Sequence, residues 1–280
     1  MTSALMFPGQ GSQTEDMRDT VAQLRPDLLA LACEVVGEDP FLQVEHGTAY
    51  AQPAIFCASL AGYGALDAAT RAAASYMAGH SLGEIGALVA AGALSERDGL
   101  ELVALRGRLM QEAGETAGDG GMIALLGAEA AARASEVAQP HGLAVANDNS
   151  PQQVVLSGLR SSLPAAEATA RAIGLRAMIL PVTGAFHSPL MASAVAPFRQ
   201  ALDRVELRPT AVTVVSAVTA MPFDDVRARL VEALIGPVRW REVLLYLHAR
   251  GVRRFVEVGP GKVLTGLAKR TLKEVELASV

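Results

Sequence analysis

The sequence predicts an α/β protein with a large domain built on a parallel sheet and an inserted small domain of βαββαβ order. Three observations predict this. Short apolar strands alternate with amphipathic helices toward both ends of the chain, which is typical of parallel sheets. The middle of the chain changes to the βαββαβ pattern, and Ser81 lies in a glycine-flanked turn from strand to helix. We therefore expect a large domain at 1–117 and 184–280 and a small domain at 118–183.

The small domain begins with a glycine-rich segment at 118–121, which supplies a flexible entry. Its elements are predicted to be strand, helix, strand, turn, strand, helix and strand, at 122–126, 128–138, 143–147, 148–152, 153–157, 162–172 and 176–180. Asn149-Ser150-Pro151 supplies the turn between the central strands. This order is typical of ferredoxin-like domains. We expect the domain to cover a cleft at the carboxyl ends of the large sheet, where open α/β sheets bind ligands.

The segment Gly79-His80-Ser81-Leu82-Gly83-Glu84 has the form of a nucleophile elbow. Residues 75–78 predict a short buried strand before it, and residues 84–91 predict a helix after it. The two glycines permit a strained turn that exposes the serine oxygen, and the first amides of the helix can stabilise an oxyanion. The alternative is an incidental serine in a glycine-rich turn. The pattern predicts an α/β-hydrolase-like large domain, with Ser81 as its candidate nucleophile.

Two further segments supply complementary chemistry. Phe7-Pro8-Gly9-Gln10-Gly11-Ser12-Gln13 follows a predicted strand at 4–7, and the glycines leave the Gln10 amide uncrowded, as half of an oxyanion hole requires. His187 is predicted at the end of an apolar strand, 177–182, and directly before a helix. A lone histidine is more often structural than catalytic. Together, however, Ser81, Gln10 and His187 supply a nucleophile, an oxyanion donor and a general base.

Arg106 lies on the apolar face of a predicted helix. Ser95, with Asp98 three residues later, resembles a capping box, and the helix is predicted to extend to about residue 113. Leu102 and Leu109 belong to its apolar stripe, so Arg106 is expected to point inward. A buried guanidinium requires an anion, and its planar fork suits a carboxylate. Snorkelling or an internal ion pair is the alternative.

Composition excludes several classes of function. The 280 residues are 51% hydrophobic and 19% charged, which predicts a globular enzyme with a large core. A net charge of −5 without a basic stripe argues against a nucleic-acid partner. No apolar run is long enough for a membrane partner, and no leader pattern is visible, so we expect a cytoplasmic protein. Cys33 and Cys57 lack the spacing of a metal site or redox pair, which predicts free thiols in a reducing compartment and no metal.

In combination these motifs resemble the malonyl-CoA:acyl carrier protein transacylases, a family that includes discrete polyketide synthase acyltransferases. The resemblance extends from about residue 4 to about residue 273. It rests on the segments 7–13, 79–84, Arg106-Gly107, Phe186-His187-Ser188 and 257–264.

This resemblance implies a role for each matching residue. Ser81 would be the acylated nucleophile, His187 its base and Arg106 the clamp for the malonyl carboxylate. Gln10 and Leu82 would donate to the oxyanion. Further contacts to substrate are expected from four residues: Phe186, Met110, His80 and Asn149.

The implied activity is transfer of a malonyl group from malonyl-CoA to the phosphopantetheine thiol of an acyl carrier protein, for fatty acid or polyketide synthesis. A malonyl-serine intermediate and ping-pong kinetics are expected, with no cofactor and a monomeric enzyme. Three alternatives stay open: a serine acyl hydrolase or editing enzyme, a noncatalytic docking module for carrier proteins, and the transferase component of malonate decarboxylase.

Two departures from the family pattern bear on the site. Relatives often have glutamine or asparagine where this chain has Arg239, within a segment expected to orient the histidine, and an arginine cannot accept a hydrogen bond. Either a backbone carbonyl or another side chain must then serve. The second departure is Phe186, because Ala-Phe-His before the base is frequent in polyketide enzymes whereas many fatty-acid enzymes have smaller residues. The pathway is therefore left open.

Overall fold

The larger of two sheets in the computed structural model, which describes residues 2–280, is five-stranded and wholly parallel, as predicted. Its strand order is β7-β2-β1-β8-β9. The second sheet is four-stranded and antiparallel, with the order β4-β5-β3-β6. The strands are Ser3–Phe7 (β1), Ala74–Gly79 (β2), Gly120–Leu126 (β3), Ala144–Ser150 (β4), Gln153–Leu159 (β5), Arg176–Ile179 (β6), Thr213–Val215 (β7), Arg254–Glu257 (β8) and Glu276–Ser279 (β9).

Helices cover both faces of the large sheet and one face of the small one. The α-helices are Met17–Leu24 (α1), Pro26–Val36 (α2), Thr48–Ala65 (α3), Ala68–Ala73 (α4), Gly83–Ala90 (α5), Glu96–Ala117 (α6), Ala130–Ala138 (α7), Leu163–Ala172 (α8), Ala192–Leu202 (α9), Val226–Glu232 (α10), Trp240–Ala249 (α11) and Val263–Thr271 (α12). No helix in residues 2–280 has the length and apolar character needed to cross a membrane.

Strand β1 explains how the core is organised. All five of its residues are buried, as expected for a central parallel strand covered on both faces. Leu5 and Phe7 face one hydrophobic cluster, whereas Ala4 and Met6 face the other. The strand is thereby held from both sides, so the loop that follows it leaves the sheet from a fixed position.

The small sheet has the ferredoxin-like strand order. One face, with Ile123 and Leu156, packs against α7 and α8, while the other, with Met122 and Val155, joins the core of the large domain. These elements lie within 118–183, although the domain boundaries themselves stay a prediction. Each predicted element is present, and α7 begins at Ala130 rather than at 128.

The predicted turn at Asn149-Ser150-Pro151 is wrong in its position. Asn149 and Ser150 belong to strand β4, and the turn consists of Pro151 and Gln152. Two register irregularities in β4 let the strand continue until Ser150 pairs with Gln153. This shift matters because it carries Asn149 toward the large domain.

The placement of His187 at a strand end is also wrong. Strand β6 ends at Ile179 and belongs to the small sheet, so a loop separates it from the histidine. Pro181 lacks an N–H group and cannot extend the strand ladder. His187 therefore lies on the connection that returns the chain to the large domain, just before a short 3-10 helix at Pro189–Met191.

Candidate active site

Strand register brings the N-terminal loop and the elbow together. Phe7, the last residue of β1, pairs with Gly79, the last residue of β2. Because the strands are parallel, both following loops emerge at the same edge, and the His80 N–H donates a 2.9 Å hydrogen bond to the Phe7 carbonyl. A Cβ at Gly9 would lie 2.6 Å from the carbonyl oxygen of His80. The two loops therefore touch through their backbones.

The elbow itself requires its glycines. A Cβ at Gly79 would overlap the backbone of Gly83, and one at Gly83 would overlap the Phe7 carbonyl. Ser81 has a φ of 55°, in the left-handed region that few residues other than glycine adopt. Such strain persists only where the surroundings enforce it, and it is frequent at functional sites. The turn raises the Ser81 side chain above the end of the sheet.

His187 is within hydrogen-bond distance of Ser81. Its Nε2 atom lies 2.9 Å from the Ser81 Oγ atom, and its Nδ1 atom lies 2.9 Å from the carbonyl oxygen of Ala233 and 3.2 Å from that of Gly236. Carbonyl oxygens only accept, so Nδ1 carries the proton and Nε2 is free to accept one. Burial, followed by the positive charge of Arg106, lowers the pKa of His187 to about 3. The imidazole is therefore neutral.

Arg239 does not orient the histidine. Its guanidinium pairs with Glu242 and donates to the carbonyl oxygens of Val218 and Thr219. The sequence left open whether a backbone carbonyl or another side chain orients His187. In the structure, the backbone carbonyls of Ala233 and Gly236 accept from its ring. The arginine at this position thus leaves the hydrogen bonding of His187 intact.

Arg106 points inward, as the helical pattern predicts. Helix α6 begins after Ser95, whose Oγ atom accepts a hydrogen bond from the Asp98 N–H, and it extends to Ala117. The Arg106 side chain is buried, and its nitrogen atoms lie 2.7 Å from the Gln52 Oε1 atom and 3.0 Å from the Ser81 Oγ atom. Burial lowers its pKa to about 10, so it stays charged at neutral pH.

Neither alternative for Arg106 fits these contacts. The guanidinium does not reach solvent, as snorkelling would require, and in the described part of the chain it forms no salt bridge. Both hydrogen-bond partners are neutral groups. The site therefore holds a buried positive charge beside the serine oxygen, with an unmet preference for an anion.

The two predicted oxyanion donors lie on the two touching loops. Leu82 directly precedes helix α5, where the helix dipole favours negative charge, and Gln10 follows β1. Within residues 2–280, neither the Gln10 nor the Leu82 backbone N–H donates a hydrogen bond to a protein acceptor. Both amides are thus available to a ligand oxygen.

His80 and Asn149 join the two domains at the site. The His80 Nε2 atom lies 2.8 Å from the Asn149 Oδ1 atom, and the His80 ring packs edge-on against Trp240 with centroids 5.7 Å apart. Burial lowers the pKa of His80, so its ring is neutral and Nε2 donates to the amide oxygen. Asn149 is therefore hydrogen-bonded to the residue that directly precedes the nucleophile in sequence.

The two remaining predicted residues, Met110 and Phe186, are both buried. Met110 is buried, with its Sδ atom 3.5 Å from the Gln52 Nε2 atom. Phe186 is largely buried, and its ring lies against Gly184, where a Cβ would be 2.6 Å from the Phe186 Cε1 atom.

Two polar residues at the site were missed by the sequence analysis. Gln52 accepts a hydrogen bond from Arg106, and the Glu84 carboxylate accepts one from the Ala217 N–H at 2.8 Å. Each is a polar side chain in a largely apolar helical segment, and both are buried. A polar side chain within an apolar helical segment could have indicated both residues, because buried polar side chains need hydrogen-bond partners.

Residues 2–280 contain no cluster of three or more histidine, cysteine or acidic side chains placed to hold a metal ion. Cys33 and Cys57 are unpaired thiols on α2 and α3, as predicted. That the reaction needs no cofactor stays a prediction.

The fold and the site together define an acyltransferase. The chain belongs to the acyl transferase domain family, whose model matches residues 33–280. It is 38% identical over 284 residues to the malonyl CoA-acyl carrier protein transacylase of Escherichia coli (strain K12), covering 95% of this chain and 92% of that protein.

Two further relatives extend the comparison. The polyketide biosynthesis protein ThaF of Burkholderia thailandensis is 38% identical over 289 residues, which cover 99% of this chain but only 25% of ThaF. The crystal structure of the acyl-carrier-protein S-malonyltransferase of Bartonella henselae superposes with a TM-score of 0.91 at 33% identity, over 100% of this chain and 95% of that one.

Proposed function

We propose that the protein transfers a malonyl group from malonyl-CoA to the phosphopantetheine thiol of an acyl carrier protein through a malonyl-serine intermediate. The observation that carries this proposal is the convergence of two side chains on Ser81. Its Oγ atom lies 2.9 Å from the His187 Nε2 atom and 3.0 Å from an Arg106 nitrogen. One partner can take a proton, and the other can bind a negative charge beside the reacting atom. Relatives named as malonyl transacylases support the same substrate.

In the first half-reaction the Ser81 oxygen attacks the thioester carbonyl carbon while its proton passes to His187 Nε2. The N–H groups of Gln10 and Leu82 donate to the tetrahedral oxyanion. Collapse breaks the carbon–sulfur bond, and the CoA sulfur leaves with the proton held by His187. A malonyl ester of Ser81 remains, and the imidazole is neutral again.

The second half-reaction repeats these steps with a different thiol. His187 Nε2 accepts the proton of the phosphopantetheine thiol, whose sulfur attacks the ester carbonyl. The same two amides hold the oxyanion, and the Ser81 oxygen leaves with the proton from His187. The enzyme returns to its starting state, and the malonyl group leaves on the carrier.

Arg106 selects the acyl group. The carboxylate of a malonyl group is separated from the reacting carbonyl carbon by one methylene, so a cation beside the Ser81 oxygen is within reach of it. Pairing with the guanidinium also reduces the positive charge that lowers the pKa of His187. Malonyl binding therefore strengthens the base at the moment it is needed.

Intact-protein mass spectrometry after mixing with malonyl-CoA tests the proposal. A transferase gives a stable malonyl adduct on Ser81, a hydrolase gives a transient adduct with release of malonate, and a docking module gives none. Ser81→Ala abolishes the adduct, and His187→Ala slows its formation by on the order of 10²- to 10⁴-fold. Ser161→Ala, at an exposed serine, is the matched control. Persistence of label in Ser81→Ala would overturn the mechanism.

The carrier and the pathway need a second experiment. Relatives at the same identity carry both transacylase and polyketide names, so both pathways are proposed equally. A panel of purified carrier proteins from fatty acid synthesis, polyketide synthesis and malonate decarboxylase, compared by kcat/KM, separates them. Sedimentation of the purified protein tests the monomeric state, and cell fractionation tests the cytoplasmic location.

A further inference from the structure

The carbonyl groups that orient His187 lie on the connection between α10 and α11. Those of Ala233 and Gly236 accept from its Nδ1 atom, at 2.9 Å and 3.2 Å. Both residues lie in turns and bends after α10 has ended, so no regular helix or strand includes them. The direction of the imidazole therefore depends on the contacts that hold this connection in place.

Strand β4 of the small sheet holds the connection two residues after Gly236. The Val238 N–H donates a 2.8 Å hydrogen bond to the Ala146 carbonyl, and the Val238 carbonyl accepts one of 2.8 Å from the Asp148 N–H. Together they form an isolated parallel bridge on the outer edge of β4. The backbone that orients the base is thus paired with the small domain.

The Asp148 side chain joins the same two segments a second time. Its Oδ1 atom lies 2.9 Å from the Arg241 Nε atom, and its Oδ2 atom lies 2.6 Å from the Arg241 Nη2 atom. This is the only salt bridge in residues 2–280 that joins the segment 118–183 to the rest of the chain. Only 16% of the Asp148 side chain and 31% of the Arg241 side chain are exposed. A bidentate pair of this kind fixes direction as well as distance.

The same strand also reaches the nucleophile elbow. Asn149 follows Asp148 in β4, and its Oδ1 atom accepts a 2.8 Å hydrogen bond from His80, the residue before Ser81. Strand β4 therefore contacts the support of the base through residues 146–148 and the elbow through residue 149. A shift of this strand relative to the large domain would disturb the alignment of the serine with the histidine.

We propose that Asp148 and Arg241 are positioning residues for the transfer reaction, because their ion pair holds β4 against the segment 236–238 and so fixes the carbonyls that orient His187. This inference rests on the proposed function. In residues 2–280 the two side chains form hydrogen bonds only with each other, so they act on the base through the backbone. Charge-assisted hydrogen bonds are roughly twice as strong as neutral ones. The ion pair is thus a larger restraint than the two backbone hydrogen bonds beside it.

The first test measures acyl-enzyme formation in Asp148→Asn, Arg241→Gln and the double variant. We expect each single variant to lower the rate constant by on the order of 5- to 50-fold, a part of the worth of a positioned base, and equally for malonyl-CoA and acetyl-CoA. The double variant should be no slower than the single ones, because both substitutions break one contact. Glu96→Gln breaks a bidentate pair with Arg25 within the large domain and should keep the wild-type rate.

Three outcomes would overturn the inference. The first is a wild-type rate in both single variants. The second is a loss confined to malonyl-CoA, since that would place the effect on recognition of the carboxylate instead of on the base. The third is a double variant in which the two losses multiply, because the side chains would then act separately. Absence of a malonyl adduct in wild type would overturn the proposed function instead.

The ring of His187 can also be observed without turnover. Nitrogen-15 NMR of histidine-labelled protein detects its Nδ1–H group, which is identified by loss of the signal in His187→Ala. We expect this proton to exchange with solvent faster by on the order of 10-fold in Asp148→Asn, because the accepting carbonyls are held less firmly. Arg241→Lys keeps the charge without the planar fork and should lie between wild type and Arg241→Gln, also where Asp148→Asn does not fold. Unchanged exchange in the folded variants would contradict the proposal, whichever acyl group the protein transfers.

Discussion

The Nδ1 atom of His187 lies 2.9 Å from the carbonyl oxygen of Ala233. The imidazole is thus oriented by the main chain, with a second carbonyl at Gly236 3.2 Å away. A carbonyl supplies no charge to stabilise an imidazolium, and burial beside Arg106 lowers the pKa of the ring. His187 therefore keeps one tautomer while remaining uncharged.

Arg239→Ala should change the rate of acyl-enzyme formation by less than about threefold. The side chain does not touch His187, and its partly exposed ion pair with Glu242 contributes at most about 1 kcal/mol to stability. Stopped-flow mixing with malonyl-CoA gives the rate, with Arg239→Gln as the comparison. A loss of two orders of magnitude in both variants would mean that this side chain supports the base.

Arg106→Ala should reduce malonyl transfer by on the order of 10- to 200-fold while acetyl transfer is unchanged or improved. The expectation follows from the worth of a charge-assisted pair, roughly 1.5–3 kcal/mol. The measurement is kcat/KM for both CoA esters, and Arg108→Ala, at an exposed position on the same helix, is the control. Equal losses for the two esters would make the arginine structural.

Phe186→Ser should increase the use of methylmalonyl-CoA without making the enzyme specific for it. The ring directly precedes the base, and one methyl group accounts for only about 1–3 kcal/mol of discrimination. Because the ring is largely buried, thermal stability must be measured alongside kcat/KM. Lower stability with unchanged selectivity would assign Phe186 to core packing alone.

The pH dependence of acylation should separate the effect of burial on the pKa of His187 from the effect of the Arg106 charge. Its pKa of about 3 keeps wild-type acyl-enzyme formation from acetyl-CoA level down to about pH 5. Arg106→Ala removes a neighbouring positive charge, which raises the pKa of the imidazole and moves the acid limb to higher pH. An unmoved limb would mean that burial alone sets this pKa.

The lowered pKa of His187 also affects the stability of the folded protein. An unfolded histidine has a pKa near 6.5, so below this pH the unfolded chain binds a proton that the folded site excludes. His187 therefore makes the folded protein less stable as the pH falls from about 6.5 toward 3. His187→Ala should flatten part of this decline in urea denaturation, whereas an unchanged slope would assign acid unfolding to other groups.

Local patterns accounted for much of the fold and for part of the site. The elbow around Ser81 and the inward face of Arg106 could be predicted because glycine spacing and helical periodicity act over a few residues. Both parallel and antiparallel sheets followed from the alternation of elements. A strand at 177–182 was predicted because the segment is largely apolar. Strand β6 instead ends at Ile179, since Pro181 has no N–H group with which to extend the ladder, and His187 therefore lies in a loop.

Contacts between segments that are distant in sequence could not be predicted from such local patterns. Gln52 meets Arg106 across 54 positions of sequence, and Glu84 meets Ala217 across 133. No helical or strand periodicity in the sequence indicates that the two residues of either pair are in contact. Asn149 reaches His80 because β4 continues into the predicted turn as far as Ser150, with irregularities in its pairing with β5.

The pairing of Phe7 with Gly79 has a consequence for the proposed oxyanion donors. Gln10 and Leu82 each follow one of two neighbouring strands by three residues, and adjacent strands lie about 4.8 Å apart. The two loops that carry these amides therefore start from paired strands and are joined by a backbone hydrogen bond from His80 to Phe7. We therefore expect substitutions around the cleft to change which acyl group enters without moving the two proposed donors, because paired backbone strands position them.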